Sequence, residues 1–358
     1  MKGMVSILLA SALSLALTGC AHLGPRTVAV DRFDYSSAIA DSWKQQTLLN
    51  IVKLRYLDLP VFVDVSSIVS GYSLQTGVSM VGTVSSNKAV QGNFVSGGGQ
   101  AIYTDRPTIT YTPNTGERFL RALVTPIDPR NIFALLQSGY AADYILSLTV
   151  ESLNGVRNRS ATVGNVREAD PAFIRVVELL RDVQAAGAFG MRVDDDKAAG
   201  STAVVFFRFD DLSPDIVEKV AELRRLLKLP AAQQKFRLVY SPAPGAEGEL
   251  TVNSRSMLQI MSAFASNIDV PAAHLTERRA LPGMNNAANT TALAAASIRS
   301  SHEKPEDAYA AVPYRGHWFW IDDRDWRSKR AFTAVMFFFT LADTGSGDRA
   351  PLLTIPAQ

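Results

Sequence analysis

The 358-residue chain holds a single cysteine, Cys20. One thiol cannot form an internal disulfide, so a fold made in an oxidising compartment must be held by packing and hydrogen bonding alone. What precedes the cysteine points to such a compartment. One basic residue, Lys2, leads an uncharged apolar run from Val5 to Leu17, and small residues then lead into Cys20. A charged start, a short apolar stretch and a small-residue cleavage site make up a secretory signal. The apolar run covers 13 residues, too short for a helix that spans a bilayer, which takes about 20.

The segment Leu17-Thr18-Gly19-Cys20 resembles the lipobox of bacterial lipoproteins. The resemblance implies cleavage before Cys20, a diacylglycerol on its sulfur and an acyl chain such as palmitate on the new amino group. Each buried methylene contributes about 0.8 kcal/mol, and stable anchoring takes more than one chain. A triacylated Cys20 would hold the protein on a membrane almost permanently. Ala21, rather than aspartate, follows the cysteine, which in that class implies the outer membrane. The expected partners are therefore the membrane, through the lipid, and an envelope protein on the periplasmic side.

Composition bounds the rest. Apolar residues make up 47% and charged residues 20% of the chain, enough for a substantial core. The net charge is +2 without a basic block, which argues against nucleic acid as a partner. The expected organisation is a signal peptide over 1–19, a lipidated N-terminus and tether over 20–31, an α+β domain over 32–165 and an α/β-type domain over 166–358. The fold class is α+β, with mixed sheets, packed helices, a long β-hairpin or three-stranded meander near 61–112, and a strand–helix–strand ending.

Local patterns supply the elements. Ile39, Trp43, Leu48, Leu49, Val52 and Tyr56 approximate one helical face over 36–57, ended by Pro60. Helices are predicted over 129–137, 141–153, 171–184, 214–227 and 254–264, and from Asp325 onward. Asn154-Gly155 reads as a helix ending, and 156–168 as a polar loop. Strands are predicted over 204–209, 236–240, 249–252, 317–321 and 352–355. Residues 281–307, rich in Ala, Asn, Ser and charge, read as a mobile insertion.

The stretch 72–95 is the sharpest candidate element. From Tyr72, the residues Leu74, Thr76, Val78, Met80, Gly82 and Val84 share one strand face, and mostly polar residues share the other. Ser86-Asn87-Lys88 offers turn chemistry, Val90 and Phe94 continue the alternation on a return strand, and Ser96–Gly99 reads as flexible. A spanning strand needs about 9–11 residues, so a hairpin carrying Tyr72, Leu74, Val78, Met80, Val84, Val90 and Phe94 could enter a membrane or meet a partner. The opposing reading places its apolar face on the soluble core, with Gly77, Gly82 and Gly92 weakening the strands.

Other motifs favour structural roles. Gly97-Gly98-Gly99 lacks phosphate-loop spacing, and no Gly-x-Ser-x-Gly elbow occurs. His302-Glu303 has Glu306 where a zinc-protease helix needs its second histidine, with Pro305 between. Asp322-Asp323-Arg324-Asp325 could act as acid and base, but a helix cap on Asp323 or Asp325 explains it as well. Asp194-Asp195-Asp196 reads as a solvated turn, and Tyr314, His317, Trp318, Trp320 and Trp326 as core aromatics. No catalytic residue, metal or cofactor is assigned. The stretches Tyr72-Ser73-Leu74, Arg106–Tyr111 and Ile321–Asp325 resemble uncharacterised proteobacterial envelope lipoproteins, a resemblance that implies no activity. Three readings follow: a non-catalytic binding or scaffolding protein, an oligomeric outer-membrane channel built from the 72–95 hairpin, and an envelope hydrolase using Asp322, Asp323 or Asp325.

Overall fold

A computed structural model describes residues 27–69, 72–83, 94–105, 108–114, 116–162, 165–196, 200–281 and 296–342. Cys20, most of the expected tether, and the strand predicted over 352–355 lie outside these residues. The chain is α+β and divides into two compact units. The larger comprises Asp41–Phe62 and Asn114–Gly347, and the smaller includes Val63–Pro113. The boundary expected at residue 165 falls inside the larger unit, because strands from both sides of it share one sheet.

That sheet takes β5 (Val150–Leu153), β6 (Val156–Arg157), β9 (Phe189–Asp196), β10 (Gly200–Phe207), β11 (Lys235–Tyr240) and β12 (Glu249–Ser254), in the order β6-β5-β12-β11-β10-β9. β11 and β12 run parallel and the other neighbours antiparallel. Here several local expectations give way. The helix predicted over 141–153 ends at Thr149, and 150–153 become a strand because Val252 and its neighbours pair with it. Asn154-Gly155 is not a helix ending. Both residues have positive φ, 46° and 83°, and they turn β5 into β6 as a two-residue hairpin. The polar loop expected over 156–168 contains β6 and the small pair β7 (Ser160–Thr162) and β8 (Asn165–Arg167). Asp194-Asp195-Asp196 ends a strand rather than forming the turn, and pairs with 200–202.

The helices follow in chain order. The first, α1 (Thr27–Arg55), begins within the stretch expected to be tether; Leu57, at φ 62°, follows its end. Next come α2 (Glu117–Val124), α3 (Pro129–Gln137) and α4 (Ala142–Thr149). α3 begins where the sequence says: Pro129 needs no N–H at the first turn, and Asp128 accepts from the Arg130 N–H at 2.8 Å. α5 (Pro171–Ala185) and α6 (Pro214–Leu226) start at prolines, but the Asp170 carboxylate bonds the Arg157 N–H instead of capping. α7 (Met257–Ser266) is capped by Ser256, not Ser254, in a reciprocal box with Gln259. After α8 (Ala272–Thr276), the three-stranded sheet of β13 (Arg299–Ser301), β14 (Ala308–Tyr314) and β15 (His317–Asp322) leads into α9 (Trp326–Ala342). The expected insertion is thus partly built in: Ala296 and Ile298 are buried and 299–301 form a strand, while 282–295 lie outside the described residues.

Two buried arginines show how differently this unit treats charge. Arg255 donates to the carbonyls of Ser147, Leu148 and Arg159 and meets Glu151 at 3.1 Å, so it closes the C-terminal end of α4 and ties it to the sheet. Arg55 is 0% exposed, and none of its three guanidinium nitrogens has a hydrogen-bond partner among the described residues. Removing a satisfied buried charge strands its partners, whereas replacing an unpartnered one by an apolar chain is neutral or stabilising. In urea unfolding, Arg255→Met should lose about 3–5 kcal/mol, and Arg55→Met should keep or raise the wild-type midpoint.

Candidate functional site

The smaller unit is built on a ribbon. β2 (Tyr72–Thr83) pairs antiparallel with β3 (Phe94–Asp105) along its whole length, from Tyr72↔Asp105 to Thr83↔Phe94. At its base β1 (Phe62–Val69) pairs with β4 (Thr108–Asn114), where Ser66 and Thr112 hydroxyls are hydrogen-bonded. The return strand is therefore 94–105 rather than 89–95, and Ser96–Gly99, expected to be flexible, is strand. Of the predicted hairpin residues, Tyr72, Leu74, Val78 and Met80 lie on β2 and Phe94 opens β3. Val84 and Val90 lie outside the described residues.

Register assigns the faces, because residues directly opposite in an antiparallel pair share one. One face carries Tyr72, Leu74, Thr76, Val78, Met80 and Gly82 with Val95, Gly97, Gly99, Ala101, Tyr103 and Asp105. The other carries Ser73, Gln75, Gly77, Ser79, Val81 and Thr83 with Phe94, Ser96, Gly98, Gln100, Ile102 and Thr104. Phe94 thus sits on the opposite face from Leu74 and Met80, not with them. Among the ribbon side chains whose burial is described, Val78 is 87% exposed, and Val81 and Ile102 are 58% and 43% exposed. Among the described residues neither strand pairs with a third.

A second cluster, in the larger unit, was not foreseen. His274 on α8, His317 at the start of β15 and His302 after β13 stand in a row, with ring centroids 4.8 and 4.2 Å apart. The row runs from exposed His302 through half-buried His317 to His274, 4% exposed, whose Nδ1 is hydrogen-bonded at 2.7 Å to the Tyr56 hydroxyl. Burial pushes the Tyr56 pKa up to about 12. Beyond it, the Tyr314 hydroxyl donates to Asp58, and Arg315 reaches the same carboxylate at 2.9 Å. Arg315-Gly316, with φ of 48° and 82°, forms the hairpin turn that brings Tyr314 opposite His317. These histidines lie on segments far apart in sequence, so no local spacing announces them. Among the described residues, no group of three or more His, Cys, Asp or Glu could hold a metal ion.

The carboxylates considered for hydrolysis are each engaged separately. Asp325 caps α9, accepting from the Ser328 N–H at 3.2 Å and hydroxyl at 2.5 Å. Asp322 accepts from Arg299 and from the Arg324 N–H, and Asp323 from Lys329. The aromatic cluster is only partly core. Phe319 and Ile321 are buried, whereas Trp318 and Trp320 are half-buried beneath Lys304 and Arg299, and Trp326 is exposed. An open groove of about 640 Å³ runs past Asp128, Arg130, Arg237 and Tyr240. Its size suits a small molecule, but Asp128 and Arg130 hold each other at 2.9 Å.

Comparison with family models, with curated proteins and with solved structures finds no match for this chain.

The histidine row makes stability pH-dependent. Burial first, then the neighbouring His317 and Arg279, lowers the His274 pKa below its ordinary 6.5. The unfolded chain then binds the proton more readily, so stability rises with pH through this window. It is complete above about pH 6.5 and is lost as pH falls toward the lower folded value. Thermal unfolding from pH 8 to 5 should show a midpoint that drops on acidification, with a smaller drop in His274→Gln.

Proposed function

We propose that the protein is a lipid-anchored envelope protein, moored through Cys20 at the outer membrane and facing the periplasm, that acts by binding rather than catalysis. Its binding element is the β2–β3 ribbon. The observation that carries this reading is the exposure of that ribbon, with Val78 at 87%. Isolated two-stranded ribbons are marginal in water, and glycines at 77, 82, 97, 98 and 99 lower strand stability further. Such an element gains its stability from what it docks against.

The chemistry of docking is main-chain hydrogen bonding. In an antiparallel pair about half of each strand's N–H and C=O groups point away from the partner strand. Adding a strand to either edge satisfies them, and alternate side chains then select the partner. The lipid contributes concentration: anchoring confines both parties to one surface and raises their effective concentration.

Two measurements test the reading. Radiolabelled palmitate should tag the wild-type protein and not Cys20→Ser, which should leave the membrane fraction. Crosslinking in intact envelopes should trap adducts through the ribbon, and these should disappear when residues 72–105 are replaced by a short Gly/Ser turn. An untagged wild-type chain, or unchanged adducts without the ribbon, would overturn it.

A further inference from the structure

We propose that the ribbon is a membrane-spanning hairpin, and that several copies of this chain join their hairpins edge to edge into one closed β-barrel. The proposal rests on the ribbon being the protein's working element, and it identifies the partner as the chain itself.

Length comes first. Each strand has 12 residues, about 40 Å at roughly 3.4 Å per residue. Strands in barrels tilt by about 40°, which leaves about 30 Å along the membrane normal, the thickness of the hydrocarbon layer. Charge comes second. Between Tyr72 and Thr104 the only charged residue is Lys88, in the connection between the strands, and the next is Asp105 at the base. A soluble exposed ribbon is ordinarily guarded by charge along its edges; on the two described strands of this one the only charge is Asp105, at the base end of β3.

Face assignment comes third. The face with Leu74, Val78, Met80, Val95 and Ala101, interrupted by Thr76 and ending at Asp105, is the more apolar and suits lipid. The face with Ser73, Gln75, Ser79, Ser96 and Gln100 is the more polar and suits water, although Val81, Phe94 and Ile102 share it. Tyr72 and Tyr103 lie near the base end of the apolar face, the level at which aromatic girdles meet the membrane surface.

The edges then dictate the copy number. A lone hairpin in a bilayer would leave the outward backbone groups of both strands without partners, and hydrocarbon offers none. The two edges differ, one belonging to β2 and one to β3, so joining copies β3-to-β2 is a head-to-tail contact that repeats and closes into a ring. Successive strands stay antiparallel and the strand number stays even, as such barrels require. Eight strands, the smallest barrel, need four copies; a water-filled lumen lined by the Ser/Gln face needs about eight or more. A Cβ placed at Gly77, Gly82, Gly97 or Gly99 meets nothing within 4 Å, so nothing within the chain demands glycine there. Close approach of a neighbouring hairpin would give these positions a reason.

Neighbouring positions 78 and 79 make the test sharp, because both are exposed in the single chain and the only contact at stake is the long Ser79 hydroxyl bond to the Gly98 carbonyl. The full lipidated protein is reconstituted in phosphatidylethanolamine/phosphatidylglycerol vesicles, with single cysteines introduced at 73, 74, 75, 78, 79 and 80. Cys20 is consumed by lipid, so each new thiol is the one that reacts. A water-soluble maleimide should label positions 73, 75 and 79 and spare 74, 78 and 80. Native mass measurement in detergent should give a ring of at least four copies, retained by Ser79→Arg and lost in Val78→Arg, while both variants keep the wild-type thermal midpoint. Equal labelling of both faces, equal protection of both, or a monomeric mass would overturn the barrel. Ribbon-dependent crosslinks to another protein under those outcomes would leave the binding reading standing.

Discussion

Arg255 is the hinge of the larger unit. Its guanidinium sits at the end of β12 and gathers the last carbonyls of α4, the backbone of Arg159 and the carboxylate of Glu151. Helix ends leave carbonyls without internal partners, and burying them unmet is costly. One fully engaged cation removes that cost where helix, sheet and the β7–β8 pair converge. Asn154 does similar work nearby, accepting from Thr251 and donating to the Leu227 carbonyl. Polar groups that are buried and satisfied hold this sheet in register without a disulfide.

The ribbon follows the opposite rule. Val78, Val81 and Ile102 are exposed, its outer backbone groups have no strand partner among the described residues, and glycine faces Val78, Ser79 and Met80 across the pair. Nothing in elementary packing rewards such a surface in water. Its two faces differ in polarity, with Thr76 on the more apolar one and Val81, Phe94 and Ile102 on the more polar one, and Asp105 at the base is the only charge on either strand.

The legible parts of the fold were those with local causes. Asp128-Pro129 set the start of α3 to the residue, and the alternation from Tyr72 marked β2. Elements decided by distant partners were not legible. Residues 150–153 read as helix until Val252 pairs with them, and Gly97–Gly99 hid the return strand because glycine carries no polarity to alternate. Ser254 and Ser256 are equally good caps by composition; only Gln259, three residues beyond Ser256, distinguishes them. The histidine row could not be read at all, since α8, β13 and β15 are brought together by the tertiary fold.

The open rims of the ribbon also make abundance a structural variable. Surfaces completed only by like surfaces obey mass action, and uncharged strands rich in alternating apolar residues are templates for stacking. On the proposed head-to-tail pairing, a scarce population would stay dispersed and a dense one kept from the bilayer would be prone to stack through these rims. On that proposal, the number of chains present would bear on the ribbon's state as directly as its own contacts do.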